Sequence, residues 1–277
     1  MSSQHTLAHL RPNRSEANSG ITEIRGPYYS SFGPDHLDDL LSAMSRFVDW
    51  VKLPGPAVLL LDDETIKRYV DVAHKHDVKV SAGGAVEWVL TRGAEHVGPY
   101  FDTIAAQGYD VVEVSAGMLA ISDRDYLRLV ERAKQTGLHV KAEVGIQFGA
   151  GGTSSANELE RAGTGSVPAA IRRAQRALEA GADTIILESE GVTESVNVWR
   201  TDVPAAFADA IGLEKLMFEA ADPAVFEWYV KNMGPSVNLF IDHSQVLHLE
   251  SLRSGVWGPN DLWGRVVTFQ EPDLGSA

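Results

Sequence analysis

Charged and polar residues recur at the ends of short apolar runs along this chain: Arg25, Lys52, Glu113 with Ser115, Lys141 with Glu143, Glu188, Glu219, and Asn238 with Asp242. If the runs are strands converging on one mouth, these side chains could bind a small anion, hold a metal ion or move a proton. A strand alternates its faces, so Lys141, Glu143 and Gly145 point one way, as do Glu113 and Ser115. Taken singly, a glutamate at a strand end can equally be a salt-bridge partner or a helix cap. Acids from four strands gathered at one place are harder to explain that way, because buried charge is costly unless it meets cations, protons or a divalent ion. Carboxylates in a chain with nine histidines and no cysteine suit a hard, oxygen-seeking ion such as Mg2+ better than zinc. Glu113, Glu188 and Glu219 are the candidate Mg2+ ligands, and Arg25, Lys52 and Lys141 are the strand-borne cations available to meet substrate charge. Lys141 and Glu143 are expected to pair on their shared inward face; the alternative is that Lys141 only neutralises Glu143.

Two further features point to an anion. The segment VNLFIDHSQVLHLESLR joins the last strand to a helix, with Ser244 placed to cap it and His243 beside it. Free N–H groups and the helix dipole favour a phosphate or carboxylate at such a start, although Ser244 could be a plain cap. The Gly-rich SAGGAVEW after the third strand is a weaker sign of the same kind, since it could be a simple connection. The histidines show no HExxH spacing, and His74 and His76 sit near a helix end.

These residues must be positioned by a repeated unit. An apolar, β-branched run is followed by a stretch of helical period, often closing on glycine as in AAQGYD, KQTGLH and LEAGAD. Strands are expected near Gly20–Arg25, Phe47–Leu53, Val78–Ala82, Val111–Ser115, Val140–Gly145, Thr184–Glu188, Lys215–Glu219 and Val237–Asp242. The helices between them, from Asp35–Ser45 to Ser244–Arg253, are each long enough for a right-handed crossover. Eight such units predict a single-domain (β/α)8 TIM barrel over residues 20–255, with a doubly wound sheet as the alternative. At 277 residues and 44% hydrophobic content the chain can bury one such core. Three segments break the rhythm. Residues 1–19 are expected to be a disordered tail, and Phe148–Ser166 is a Gly/Ser/Thr-rich insertion that reads as a lid, a binding loop or a linker. Residues 256–277, with Trp257 and Trp263, are expected to pack on the barrel or on a neighbouring subunit of a homo-oligomer.

A formal net charge of −14 argues against nucleic acid and anionic membranes as partners, so a small anionic substrate would need a local cluster of cations. No stretch approaches the roughly 20 uncharged residues of a membrane span, and a polar start with no cysteine implies a cytoplasmic protein.

At these residues the chain resembles the phosphosulfolactate synthase family, barrel enzymes that add sulfite to phosphoenolpyruvate on the route to coenzyme M. The resemblance runs from about Thr22 to Val266 through FVDWVKL, VKVSAGG, GYDVVEVSAG, AEVG, AGADTIILE, FEAADP, GPSVNL and LESLRSG, in that order. TEIRGPYYS, LEKLMFEAADPAVFEWYVK and GPSVNLFIDHSQVLHLESLR are similar to a branch typified by the plant heat-stress-associated proteins. The resemblance implies Mg2+-assisted addition of sulfite to the methylene carbon of phosphoenolpyruvate, with a proton delivered to the neighbouring carbon. It places Glu113, Glu143, Glu188 and Glu219 on the family's strand-end acids and Lys52 on its strand-two lysine. Two positions depart from the synthases. Where they carry lysines after Glu-Val-Gly, as the expected proton donor, this chain has Ile146 and Gln147; where they carry an arginine after the strand-six glutamate, it has Ser189, Glu190 and Gly191. Lys141 is the candidate replacement amine. The candidate catalytic set is then Lys52, Lys141, Glu143 and Gln147, and the substrate-binding set Arg25, Ser115, Asn238, His243 and Ser244. Two functions follow: a lyase of this kind on phosphoenolpyruvate or a related enolic or carboxylate substrate, or a non-catalytic heat-stress-associated type of protein using the barrel for binding.

Overall fold

The computed structural model describes residues 20–150, 155–220 and 222–259. Eight parallel strands in sequence order close into a barrel, β1 bonding to both β2 and β8. They are β1 (Thr22–Arg25), β2 (Trp50–Leu53), β3 (Lys79–Ala82), β4 (Val111–Val114), β5 (His139–Val144), β6 (Thr184–Leu187), β7 (Leu216–Glu219) and β8 (Leu239–Asp242). The expected single-domain barrel is the fold that forms. Around it lie α1 (Pro34–Met44), α2 (Gly55–Leu60), α3 (Asp63–Lys75), α4 (Val86–Leu90), α5 (Val97–Ala106) and α6 (Asp123–Lys134). They are followed by α7 (Ala156–Ala162), α8 (Val167–Glu179), α9 (Asp202–Ile211), α10 (Pro223–Met233) and α11 (Val246–Arg253). The short α2, α4 and α7 were not expected from the periodicity; each is under two turns and sits on the rim after a strand. No helix among the described residues is long and apolar enough to cross a membrane.

The period of two in each strand divides the core. Outward residues such as Ile24, Val51, Val80, Val112, Ala142, Ile185, Phe218 and Ile241 pack under the helices in one continuous cluster. Inward residues form a small separate plug of Trp50, Val111, Ile186, Met217 and Phe240, and the charged residues share this inner side. Burial of an apolar outer face thus fixes the register, and the register fixes which polar residues face the axis.

At the N-terminal end of the barrel, aspartates latch neighbouring strands. Asp49, just before β2, accepts the Thr22 N–H at 2.7 Å; Asp110 before β4 accepts the Val80 N–H at 2.8 Å; Asp183 before β6 accepts the Val140 N–H at 2.8 Å. Gly108 and Gly181 end helices α5 and α8 with positive φ, at 87° and 108°, and deliver the chain to Asp110 and Asp183 two residues later.

Candidate active site

One layer beneath the mouth, the axis of the barrel carries a chain of alternating charges. Lys141 is fully buried, and its ammonium pairs with Glu23, also fully buried, and lies 3.2 Å from Glu113 Oε2. Glu113 Oε2 in turn meets Lys52 Nζ at 2.7 Å, and Lys52 Nζ lies 3.6 Å from Glu219 Oε1. The face of Phe240 adds a cation–π contact to Lys52 at 4.2 Å. The expected Lys141–Glu143 pair does not form. Two residues along a strand is about 7 Å, so Lys141 sits a layer below Glu143 and meets the inward Glu23 across the barrel instead.

The charges set one another's protonation. Burial works against the Lys52 ammonium, but Glu113, Glu219, Glu23 and Glu143 outweigh it and hold that pKa above its ordinary value. Glu113 is likewise disfavoured by burial, yet Lys52 and Lys141 pull its pKa below the usual range, so it stays a carboxylate. At Glu143, where Lys52 gives only a partial offset, and at Glu188 the balance runs the other way. Burial, then Glu113 and Glu219, push the Glu143 pKa well above the usual range; burial, then Glu219 and Glu143, do the same to Glu188.

The mouth above is a cavity of about 390 Å3. Arg25, Lys52, Glu113, Ser115, Glu143, Glu188 and Glu219 all line it, so these strand-end positions are brought together. Arg25 lies against the rings of Tyr29 and Phe240, at 5.0 and 5.1 Å, and among the described residues no carboxylate comes within ion-pair distance of it. Glu188 Oε1 accepts the Glu190 N–H at 3.0 Å. The Ser189 hydroxyl lies 3.4 Å from Glu188 Oε1 and 3.3 Å from Glu219 Oε2, and donates to Glu194 at 2.7 Å. The Glu143 carboxyl makes no hydrogen bond or ion pair to any described residue and faces the cavity.

The rim is set by close backbone contacts. A Cβ at Gly84 would fall 2.4 Å from Ser115 Oγ, and it is the Gly84 N–H that donates to Glu113 Oε1 at 3.1 Å. Ser115 Oγ donates to the Gly84 carbonyl at 3.3 Å, so Ser115 anchors the rim as well as lining it. Buried Glu87, on α4, accepts the N–H groups of Gly117, Met118 and Leu119 at 3.1, 2.8 and 2.8 Å and so shapes the loop after β4. Neither Glu87 nor Glu23 was singled out from sequence.

Four candidates lie elsewhere. The Gln147 amide donates to the carbonyls of Phe148, Leu159 and Gly163 at 3.0, 2.8 and 3.1 Å, stapling the insertion, and lines the neighbouring cavity rather than the mouth. Asn238 precedes β8 at the opposite end of the barrel, accepting the Ile21 N–H at 2.9 Å and donating to Leu216 and Leu213. His243 is buried against Phe32, its ring 4.6 Å away, and does not line the mouth. Ser244 caps no helix: Asp242 accepts its N–H at 3.0 Å and its hydroxyl at 2.6 Å, placing a carboxylate where the anion was expected.

For Mg2+, a full protein cage does not fit: among the described residues no three acidic or histidine side chains gather as one ion's ligands. Glu113 is already committed to two lysines. Glu188 and Glu219, which meet the same Ser189 hydroxyl, do fit the commoner Mg2+ mode of one or two carboxylates with water and substrate completing the shell.

Comparison with known proteins bears on the family and the fold. A family model described as (2R)-phospho-3-sulfolactate synthase matches residues 11–259. Protein HEAT-STRESS-ASSOCIATED 32 of Arabidopsis thaliana is 34% identical over 244 residues, covering 84% of this chain and 85% of that protein. The phosphosulfolactate synthase of Methanothermobacter thermautotrophicus is 26% identical over 266 residues, covering 93% and 97%. Among solved structures, a 3-hexulose-6-phosphate synthase superposes with a TM-score of 0.53 at 14% identity, covering 84% of this chain and 98% of that one, which speaks to the fold alone. Because the family match runs through all eight strands, and relatives of both branches align along most of their length, the chain belongs to the phosphosulfolactate synthase family.

Proposed function

We propose that the chain is a lyase of the phosphosulfolactate synthase kind, adding sulfite to phosphoenolpyruvate or to a closely related enolic acid. The observation that carries this reading is Glu143, a carboxyl lining the mouth with no hydrogen-bond or ion-pair partner among the described residues, whose pKa burial and neighbouring acids raise well above the usual range. In the addition, the sulfur lone pair forms a bond to the methylene carbon, the double bond opens, and the adjacent carbon takes a proton. A neutral carboxylic acid is suited to give that proton, and Glu143 supplies in this chain what the lysine supplies in the synthases. Arg25, which has no ion pair among the described residues, would hold the substrate carboxylate, while Lys52 keeps its charge to face the phosphate. The acids at the mouth outnumber the cations, which disfavours a multiply charged anion. Mg2+, when bound by Glu188 and Glu219, would supply the missing positive charge against the substrate's carboxylate.

Phosphorus NMR of phosphoenolpyruvate mixed with sulfite, with and without Mg2+, tests this directly. Consumption by the native protein is expected, and Glu143→Gln should slow it about a hundredfold or more while melting nearly as before. No consumption under any of these conditions would overturn the reading. One observation favours the second reading, a binding protein without turnover. The positions that follow Glu-Val-Gly are given over to structure, with Ile146 buried in the core and the Gln147 amide spent on three carbonyls.

A further inference from the structure

Beside the mouth lies a second and larger cavity, of about 680 Å3. Glu143 and Glu188 line it, and since both also line the mouth, these two carboxyls border both spaces. Apart from them its walls are different in kind. Met118, Leu119 and Ile121 of the loop after β4 face Ile146 and Phe148 of the strand-five loop and Ala169 on α8. Among the described residues the one cation on the wall, Arg173, is answered by Asp123 at 2.7 Å.

The walls are built rather than left over. A Cβ at Gly145 would fall 2.8 Å from the Glu188 Cβ, so only glycine keeps the chain this close beside the shared carboxyls. A Cβ at Gly117 would fall 2.6 Å from the Ala150 carbonyl oxygen, so the two loops that enclose the lobe touch backbone to backbone. Glu87 fixes the first of these loops through its three N–H bonds. A three-carbon acid has no use for this space. The mouth alone is within the range of cavities that enclose whole small-molecule ligands, and the lobe is larger still.

We propose that the site is two-lobed and takes an enolisable acid carrying an apolar arm of several carbons, its acid head at the mouth and its arm between the Ala116–Ile121 loop and α8. This rests on reading the mouth as a site for an enolic carboxylate. Glu143, which borders both lobes, then meets the carbon where head and arm join, and Met118, which lines both spaces, adapts to the arm's shape. The lobe is thus the part of the site that would select a substrate longer than phosphoenolpyruvate.

Calorimetric titration of the native protein with straight-chain 2-oxo acids of increasing length provides the test. Affinity should rise about fourfold for each added methylene until the lobe is full. Ala169→Phe, on the lobe wall and away from the mouth, should abolish that gain while leaving the three-carbon acid bound. Ala120→Phe, on the exposed loop opposite, makes the same test if the helix variant fails to fold. A flat series in the native protein, or the same gain in both variants, would overturn the proposal. A flat series in a protein that consumes phosphoenolpyruvate removes the lobe but keeps the reaction. A length-dependent gain without consumption keeps the lobe and removes the reaction, and failure to bind any of the acids removes both.

Discussion

The two ends of this barrel treat carboxylates in opposite ways. At the N-terminal end each latch has partners within the chain: Asp110 takes the Val80 N–H and His74, and Asp183 takes the Val140 N–H and Lys134. At the mouth, Glu143 has none among the described residues, and Glu188 is held by a backbone N–H with further acids close by. A carboxylate answered by its own chain contributes to stability and has nothing left for a ligand; one left unanswered costs stability and is available for binding or proton transfer. The Glu23–Lys141 layer lies along the axis just below the mouth, yet it belongs with the first kind, because its charges are answered within the protein.

That division can be broken by substitution, and the largest effect is expected at Lys141. Lys141→Met strands Glu23, whose Oε1 already has no hydrogen-bond partner, and should cost about 3–5 kcal/mol in urea unfolding. Adding Glu23→Gln should recover much of the loss. A cost below about 1 kcal/mol would move Lys141 into the functional layer. Next in size, Asp110→Ala leaves the Val80 N–H without its partner and should cost about 1–3 kcal/mol, with ligand binding at the mouth unchanged. A loss of binding there would mean that the two ends are not independent.

The smallest effect is the pH slope. Glu143 and Glu188 have folded pKa values above their unfolded ones, so their contribution is complete below the unfolded value and is lost as pH rises through the folded one. Glu113 has the opposite sign, and its contribution is lost as pH falls. Each of the first two should therefore lower stability by up to about 1.4 kcal/mol per pH unit on the way from acid toward neutral. Glu143→Gln removes one of them, and urea unfolding at several pH values should show a flatter curve for the variant. Parallel curves would show that Glu143 is not held neutral.

The fold was legible because the periods of two and 3.6 alternate cleanly and glycine marks the helix ends. The rim helices α2, α4 and α7 were not, since helices under two turns carry too little periodicity. At the site, parity along the strands turned Glu113 and Glu143 inward, and position at a strand end pointed to Lys52, Glu188 and Glu219; all five line the mouth. The same parity would have found Glu23, two residues before Arg25 on one face, but its position in mid-strand hid it. Depth is what parity does not report, and so Lys141 was assigned one layer too high. Asn238 was read as a strand-end residue although β8 begins after it, at the far end of the barrel. At Ser244, the preceding Asp242 is the stronger acceptor and takes the cap.

The latches also differ in how much chain freedom each removes. Those of Asp49, Asp110 and Asp183 close loops of 27, 30 and 43 residues, whereas Asn238 reaches the Ile21 N–H across 217. For an otherwise free chain, that last loop costs about 2 kcal/mol more in closure entropy than the first. Once the three short latches have tied β1 to β2, β3 to β4 and β5 to β6, the open chain is shorter in effect and the long closure less demanding. The aspartates before alternate strands are thus a way of dividing one expensive ring closure into smaller local ones, each made between strands that are neighbours in sequence.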